Sequence, residues 1–308
     1  MGAASSLLDM LTESGVFHFN HLVIRDIDNT PVIQVNDPEM VEQEICLFHE
    51  NVGNGDEYVE RLHDFIRSGV QDRRPSPLAR FADGEYAFYR YSIHCNGLYQ
   101  QAESVEAIRT AMPLHVEAFK ILAERGKLAP LIFPGNTRKK EKGFFSLLRQ
   151  SKSDDSAMGF IDFLSSQGIL LTESNYIPFY VIYAYLTSQT FADFMSGRKI
   201  CIVNSEFNRE SCTRWFSTFS SRPKISFAEI PASYVATQWT SMKKGVLGRI
   251  PADTDLCLVG AGVGALMACV DIAIWLSIPA IDAGHVLNIM NGREDKSGGP
   301  RLYTIWNK

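Results

Sequence analysis

The stretch DLCLVGAGVGALMACVDIAIWLSIPAIDAGH, Asp255 to His285, decides the fold. Leu256 to Ile281 is apolar over a length that raises the question of a membrane span. Asp271 in its middle and Gly260, Gly262 and Gly264 in its first half favour a buried strand, a helix and a second strand instead, so no transmembrane segment is expected. The same alternation runs upstream, where KICIVNS and KISFAEIP read as strands and RESCTRWFSTFS and SYVATQWTSMKKGVLGRI as helices. Strands and helices alternating at this spacing predict an α/β fold, a Rossmann-like, mostly parallel sheet with helices on both faces.

Working back toward the N-terminus, ILLTES reads as a short strand and YIPFYVIYAYLTSQTFADFM as one helix whose aromatic residues belong to the core. SVEAIRTAMPLHVEAFKILAERG reads as a helix broken near Pro113, and APLIFPG as a buried strand. SPLARFADGEYAFYR reads as a strand running into a loop. Residues 136–158 are the most polar stretch, a loop or a weak boundary. The expected organisation is one α/β domain over 56–308 behind an N-terminal extension, 1–55, to which the sequence assigns no role. In that extension FHFNHLVIRDI and TPVIQVN alternate like short strands, and DPEMVEQEICLFHENV opens with a helix-start signature.

Composition narrows the function. Thirty basic against 35 acidic residues leave a net charge of −5, and no basic block is longer than RKKEK at Arg138 to Lys142, which argues against a nucleic-acid partner. Six cysteines without a C-x-x-C pair indicate neither a zinc site nor a disulfide framework, and a cytoplasmic location is expected. A peripheral station at the inner membrane face is the variant reading. MGAASSLLDML lacks a secretory signal and matches only the loose myristoylation pattern, Gly2 with Ser6. A homo-oligomer is compatible with all of this.

Four places can carry chemistry. In FADGEY, Asp83 and Glu85 flank Gly84; in extended backbone both point to one side, and Gly84 lets the chain approach a ligand. Two hard oxygen donors suit Mn²⁺ or Mg²⁺ held against a diphosphate, whereas a solvated Asp-Gly turn is the plain alternative. The glycine turn Gly260, Gly262, Gly264 opens a helix and suits either a phosphate or tight packing. Asp282 and His285 end the last strand, where parallel α/β sheets bind ligands. Asn204, Ser205 and Glu206 end another, with Arg209 opening the next helix, and Asn175 and Tyr176 start the aromatic run.

In combination these segments resemble the GT-D type glycosyltransferases, a bacterial family first catalogued as a domain of unknown function. Its R-x-G-D-G-E signature is matched by RFADGE, Arg80 to Glu85, with Ala82 in place of a glycine. TESNYIP approximates its S-x-N-x-P-Y region, GRKICIVNSE its central strand, and DAGH, Asp282 to His285, its D-x-G-H close. The similarity covers about residues 70 to 290. It implies a metal-dependent enzyme using a nucleotide-sugar donor, a UDP-sugar first, and a saccharide or glycan acceptor in surface-polysaccharide or glycoprotein assembly. Asp83 and Glu85 would be the metal ligands and, with Asp282 and His285, the catalytic set. Arg80, Gly84, Asn175, Tyr176, Glu206, Gly260 and Gly262 would contact the donor. GAGVGA stands where the family often has GPTA, and VLNIMNGREDKSGGP follows DAGH where it often has acidic and aromatic residues.

Two other readings stay open at this level. The unit from Gly260 to Asp282, with the acid 22 residues after the first glycine, has the outline of a dinucleotide site and allows an NAD(P)-dependent oxidoreductase. A non-catalytic module that binds a glycan or a partner protein is the other.

Overall fold

The computed structural model describes residues 55–95, 99–132, 157–172 and 174–292, with 16–17, 23–25, 28, 31–34 and 45–46. Its centre is a six-stranded sheet of β1 (Ser76–Phe81), β2 (Lys127–Pro130), β3 (Lys199–Asn204), β4 (Lys224–Glu229), β5 (Leu256–Gly260) and β6 (Pro279–Asp282). They lie in the order β4-β3-β5-β6-β1-β2, and every neighbouring pair is parallel. All carboxyl ends therefore share one edge. Strands buried on both faces need apolar residues without alternation, and SPLARF is buried at all six positions.

The two faces carry separate cores. Ala79, Phe81, Cys201, Val203, Cys257 and Val259 pack under α3 (Val105–Arg125), α4 (Ala157–Ser166), α8 (Val235–Leu247) and α9 (Ala265–Leu276). Leu78, Ile200, Ile202, Leu256, Leu258 and Ile281 pack under α1 (Gly55–Gln71), α5 (Phe179–Leu186), α6 (Gln189–Met195), α7 (Arg209–Thr218) and α10 (His285–Met290). The remaining helix, α2, is the short Asp83–Phe88 that follows β1. No described helix is long and apolar enough to cross a membrane. Asp271, in the middle of the most apolar stretch, instead accepts the indole N–H of Trp239 at 2.6 Å, which ties α9 to α8.

Several local expectations change. The α3 helix runs unbroken through Pro113, because Met112, His115 and Phe119 on its buried face hold it against the core despite the missing backbone donor. Among the described residues ILLTES forms no strand, and Tyr176 bridges to Leu128 at the edge of the sheet. The aromatic run splits into α5 and α6, since the Ser188 side chain accepts the Phe191 N–H at 3.1 Å and starts a new helix. Its core assignment stands, with Tyr176, Tyr183 and Tyr185 buried. In the first 55 residues, Val23–Arg25 pairs with Pro31–Gln34 and Val16–Phe17 with Ile45–Cys46. The rest of the helix expected over 37–52 and nearly all of the polar stretch 136–158 lie outside the described residues.

Candidate active site

The DGE triplet is a helical turn rather than an extended strand end, which corrects the argument that placed both carboxylates on one side of a strand. Asp83, Gly84 and Glu85 form the first turn of α2, and the Glu85 side chain folds back so that its Oε2 accepts the Ala82 N–H at 2.8 Å. On a helix, residues two apart point about 200° away from each other around the axis. Helical side chains also lean toward the N-terminus, so both acids flank the start of α2 where it leaves β1. Asp83 is exposed and Glu85 half-buried.

Burial raises the Glu85 pKa to about 7, with the Ala82 N–H acting the other way and the Asp282 charge adding to the rise. Tyr180, on α5, is pushed up to about 12 by burial and by Asp83.

Behind the two acids lies a charge pair that joins β1 to β6. The Arg80 Nη2 donates to Asp282 Oδ1 at 2.8 Å, its Nε to the Asp282 carbonyl at 2.8 Å, and its Nη1 to the Tyr183 hydroxyl. Its backbone N–H donates to Asp282 Oδ2 at 3.2 Å, and the guanidinium lies over the rings of Phe179 and Tyr183. Burial opposes the Arg80 charge, yet the attraction of Asp282, Tyr183 and Glu85 outweighs it and the pKa lies above its ordinary value. Gly284 makes room for this arrangement: its φ is +44°, and a Cβ there would overlap the guanidinium. That is the physical reason for glycine in the DAGH stretch. His285, half-buried at the first position of α10, has its Nδ1 3.3 Å from the same Tyr183 hydroxyl.

The other sequence candidates separate into those on this edge and those off it. Gly260 ends β5, Gly262 follows it and Glu206 follows β3, all at the carboxyl ends of the strands. Gly260 is a packing glycine, since a Cβ would come within 2.8 Å of Leu287 and 2.9 Å of Asn204, while Gly262 is exposed with open space around it and φ +52°. The Glu206 carbonyl accepts from Asn204 Nδ2 at 2.8 Å and Asn291 Nδ2 at 3.2 Å. Asn175 lies beside the start of β2, the opposite end of the strands, and its amide is used inside its own loop, accepting from Thr172 N at 2.8 Å and donating to the Leu170 carbonyl at 3.0 Å. Asn175 is thus a loop staple away from the carboxyl edge, and Tyr176 is a buried core residue whose phenol lies in the surroundings of Tyr86 on α2. Arg80 and Asp282 reach the carboxyl edge but spend their polar atoms on each other.

Sequence reading passed over Tyr183, which touches both Arg80 and His285, and Gly284. The spacing of Phe179, Tyr180 and Tyr183 on one stretch of α5 was the available signal, although an aromatic helical stripe more often marks plain core.

No three described His, Cys, Asp or Glu side chains form a metal-holding group. The two α2 acids are oxygen donors of the kind a hard divalent cation takes, Asp83 exposed and Glu85 with one carboxylate oxygen on the Ala82 N–H, while Asp282 is committed to Arg80. The rise of the Glu85 pKa to about 7 comes from burial first, with the Asp282 charge adding to it and the Ala82 N–H and Arg80 opposing it. A cation placed there would take its remaining ligands from phosphate and water, as Mg²⁺ sites with one or two carboxylates do.

No family model and no curated protein matches this chain. Among solved structures it is similar to a glycosyltransferase (DUF1792) from Streptococcus sanguinis, 16% identical over 81% of this chain and 89% of that one, with a TM-score of 0.47. A second, described as the domain of unknown function 1792 with a distinct glycosyltransferase fold, is 13% identical over 82% of this chain and 92% of that one, also with a TM-score of 0.47.

Proposed function

We propose that this chain is a glycosyltransferase that moves a sugar from a nucleotide-diphosphate donor, a UDP-sugar, to a saccharide or glycan acceptor, in surface-polysaccharide or glycoprotein assembly. The observation that carries this reading is the meeting, at one sheet edge, of the α2 carboxylates with the Asp282–His285 segment about 200 residues later in the chain. The order of the RFADGE, GRKICIVNSE and DAGH segments supports it.

Asp83 and Glu85 would hold Mn²⁺ or Mg²⁺, whose chemistry when bound is to neutralise the charge growing on a leaving diphosphate. The other roles belong to the protein's own side chains. Arg80 is a permanent positive charge fixed behind the acids, preorganised so that it need not move as the charge develops. Asp282 is a positioning residue, holding Arg80 and fixing the start of the DAGH turn. His285 keeps partial exposure at this edge and is the side chain placed to exchange a proton with an acceptor hydroxyl.

The oxidoreductase reading loses support on its own residues. Its ribose-binding acid would be Asp282, which is 3% exposed and committed to Arg80, and the space beside its first glycine, Gly260, is filled by Leu287 and Asn204.

The test is calorimetric titration of uridine diphosphate, with and without Mn²⁺, into the intact protein and Asp83→Ala/Glu85→Ala. Metal-dependent binding, lost in the double variant, is expected. Binding indifferent to metal and to both substitutions would return the triplet to a plain capped turn.

A further inference from the structure

Away from the carboxylates, the sheet ends in β4, which among the described residues pairs with β3 and with no other strand. Its outer side is an open edge. The Lys224 N–H donates to the Arg198 carbonyl and the Ile230 N–H to the Asn204 carbonyl, so the even-numbered residues face β3. Ile225, Phe227 and Glu229 therefore turn their backbone groups outward. The N–H groups of these three have no acceptor among the described residues.

Two of the three outward carbonyls are taken by arginines. Arg209, at the start of α7, donates from Nη1 to the Ile225 carbonyl at 3.0 Å, and Arg249, just past the end of α8, donates from Nη2 to the Glu229 carbonyl. Because α7 covers one face of the sheet and α8 the other, the edge is clasped from both sides. Arg209 also lies over the Phe227 ring, 5.1 Å from its centre, and Phe207 stacks on the same ring at 4.3 Å. Both arginines are exposed, so water could have satisfied the carbonyls as well. What the guanidiniums add is a block.

An unpaired edge is a template for another strand, and natural sheets close such edges with charged side chains. The strand that fits this edge is its own copy. Antiparallel pairing centred on Phe227 sets Phe227 against Phe227 of the second copy and Ile225 against Glu229. Each outward residue then meets an outward one, as a hydrogen-bonded ladder requires, and no two like charges stand opposite each other. The contact is the same on both copies, the usual form of a two-fold interface. To make it, each copy has to withdraw two guanidiniums. We infer that the outer edge of β4 is a self-association surface and that Arg209 and Arg249 hold it closed. This assignment concerns a part of the molecule that the proposed transfer does not use, and it stands or falls separately.

The test compares the intact protein with Arg209→Ala/Arg249→Ala by sedimentation velocity over a concentration series, with hydrogen exchange read at the β4 amides. The double variant is expected to self-associate about tenfold or more tightly, because pairing no longer breaks two charge-assisted bonds in each copy. The Ile225, Phe227 and Glu229 amides should become protected as it does so. Equal association of the two proteins, or tighter association that leaves those amides unprotected, overturns the assignment. So does an intact protein whose own association already protects them. The single variants, each freeing one carbonyl, are expected to fall between the two and decide the matter if the double variant does not fold.

Discussion

At one end of the carboxyl edge, between β1 and β6, the donors of Arg80 are taken up by Asp282 and Tyr183. At the other, between β3 and β5, the buried amide of Gln101 has no partner among the described residues. The first region is satisfied within the fold, whereas the second holds a buried amide that the described residues leave unmatched. A buried ion pair satisfied by the protein fixes geometry, whereas a buried amide left unmatched costs stability. The α2 acids stand beside the satisfied region, which gives them a rigid base.

The largest effect follows from breaking the satisfied region. Arg80→Met leaves the Asp282 carboxylate buried without its partner, and a loss of about 3–5 kcal/mol in urea unfolding is expected. Arg80→Met/Asp282→Leu should recover most of it. Equal destabilisation in the single and double variants would mean that the pair does little to hold β1 against β6.

A smaller effect concerns the strut between the two regions. His115 donates from Nε2 to the Ala236 carbonyl at 2.8 Å, and in the neutral ring its Nδ1 accepts from the Tyr89 hydroxyl, 2.9 Å away. Tyr89 caps α2, and Ala236 borders a cavity that Gln101 also lines. Burial lowers the His115 pKa from 6.5 to about 4, the Ala236 carbonyl opposing the shift. Above pH 6.5 its contribution is complete; as the pH falls toward 4 the unfolded chain takes up a proton that the folded protein refuses. Stability should drop by about 3 kcal/mol across that window. His115→Gln should flatten this part of the stability curve, and parallel curves for the two proteins would refute the assignment.

The smallest effect belongs to the unmatched region. Gln101→Leu removes an unmatched amide and keeps its volume, so the unfolding midpoint should hold or rise. A clear drop, comparable with that of Arg80→Met, would show that the amide is part of the folded framework.

The sheet was legible because strands buried on both faces must be continuous apolar runs, and KICIVN and LCLVG have no other reading beside helical neighbours. Local conformation at the acids was not. The stretch reads as a strand running into a loop with an Asp-Gly turn, and nothing in the order of residues shows that Glu85 will reach back to the Ala82 N–H and start a helix. Arg80 and Asp282 stood out as charges within apolar strands, but that each is the other's partner depends on β6 entering the sheet beside β1, 202 residues away in the chain. Asn175 looked like a ligand contact because it opens an aromatic run, and only the strand direction puts it at the wrong end. Gln101 carried no signal, being one of two adjacent glutamines in a polar connection, since its meaning comes from burial without a partner.

The most direct measurement is anomalous diffraction from crystals grown with Mn²⁺ and uridine diphosphate. A manganese peak between the Asp83 and Glu85 carboxylates and the diphosphate, with the diphosphate lying along the carboxyl edge, is the predicted result. Manganese bound elsewhere, or a nucleotide that avoids the start of α2, would contradict the assignment of this edge as the donor site.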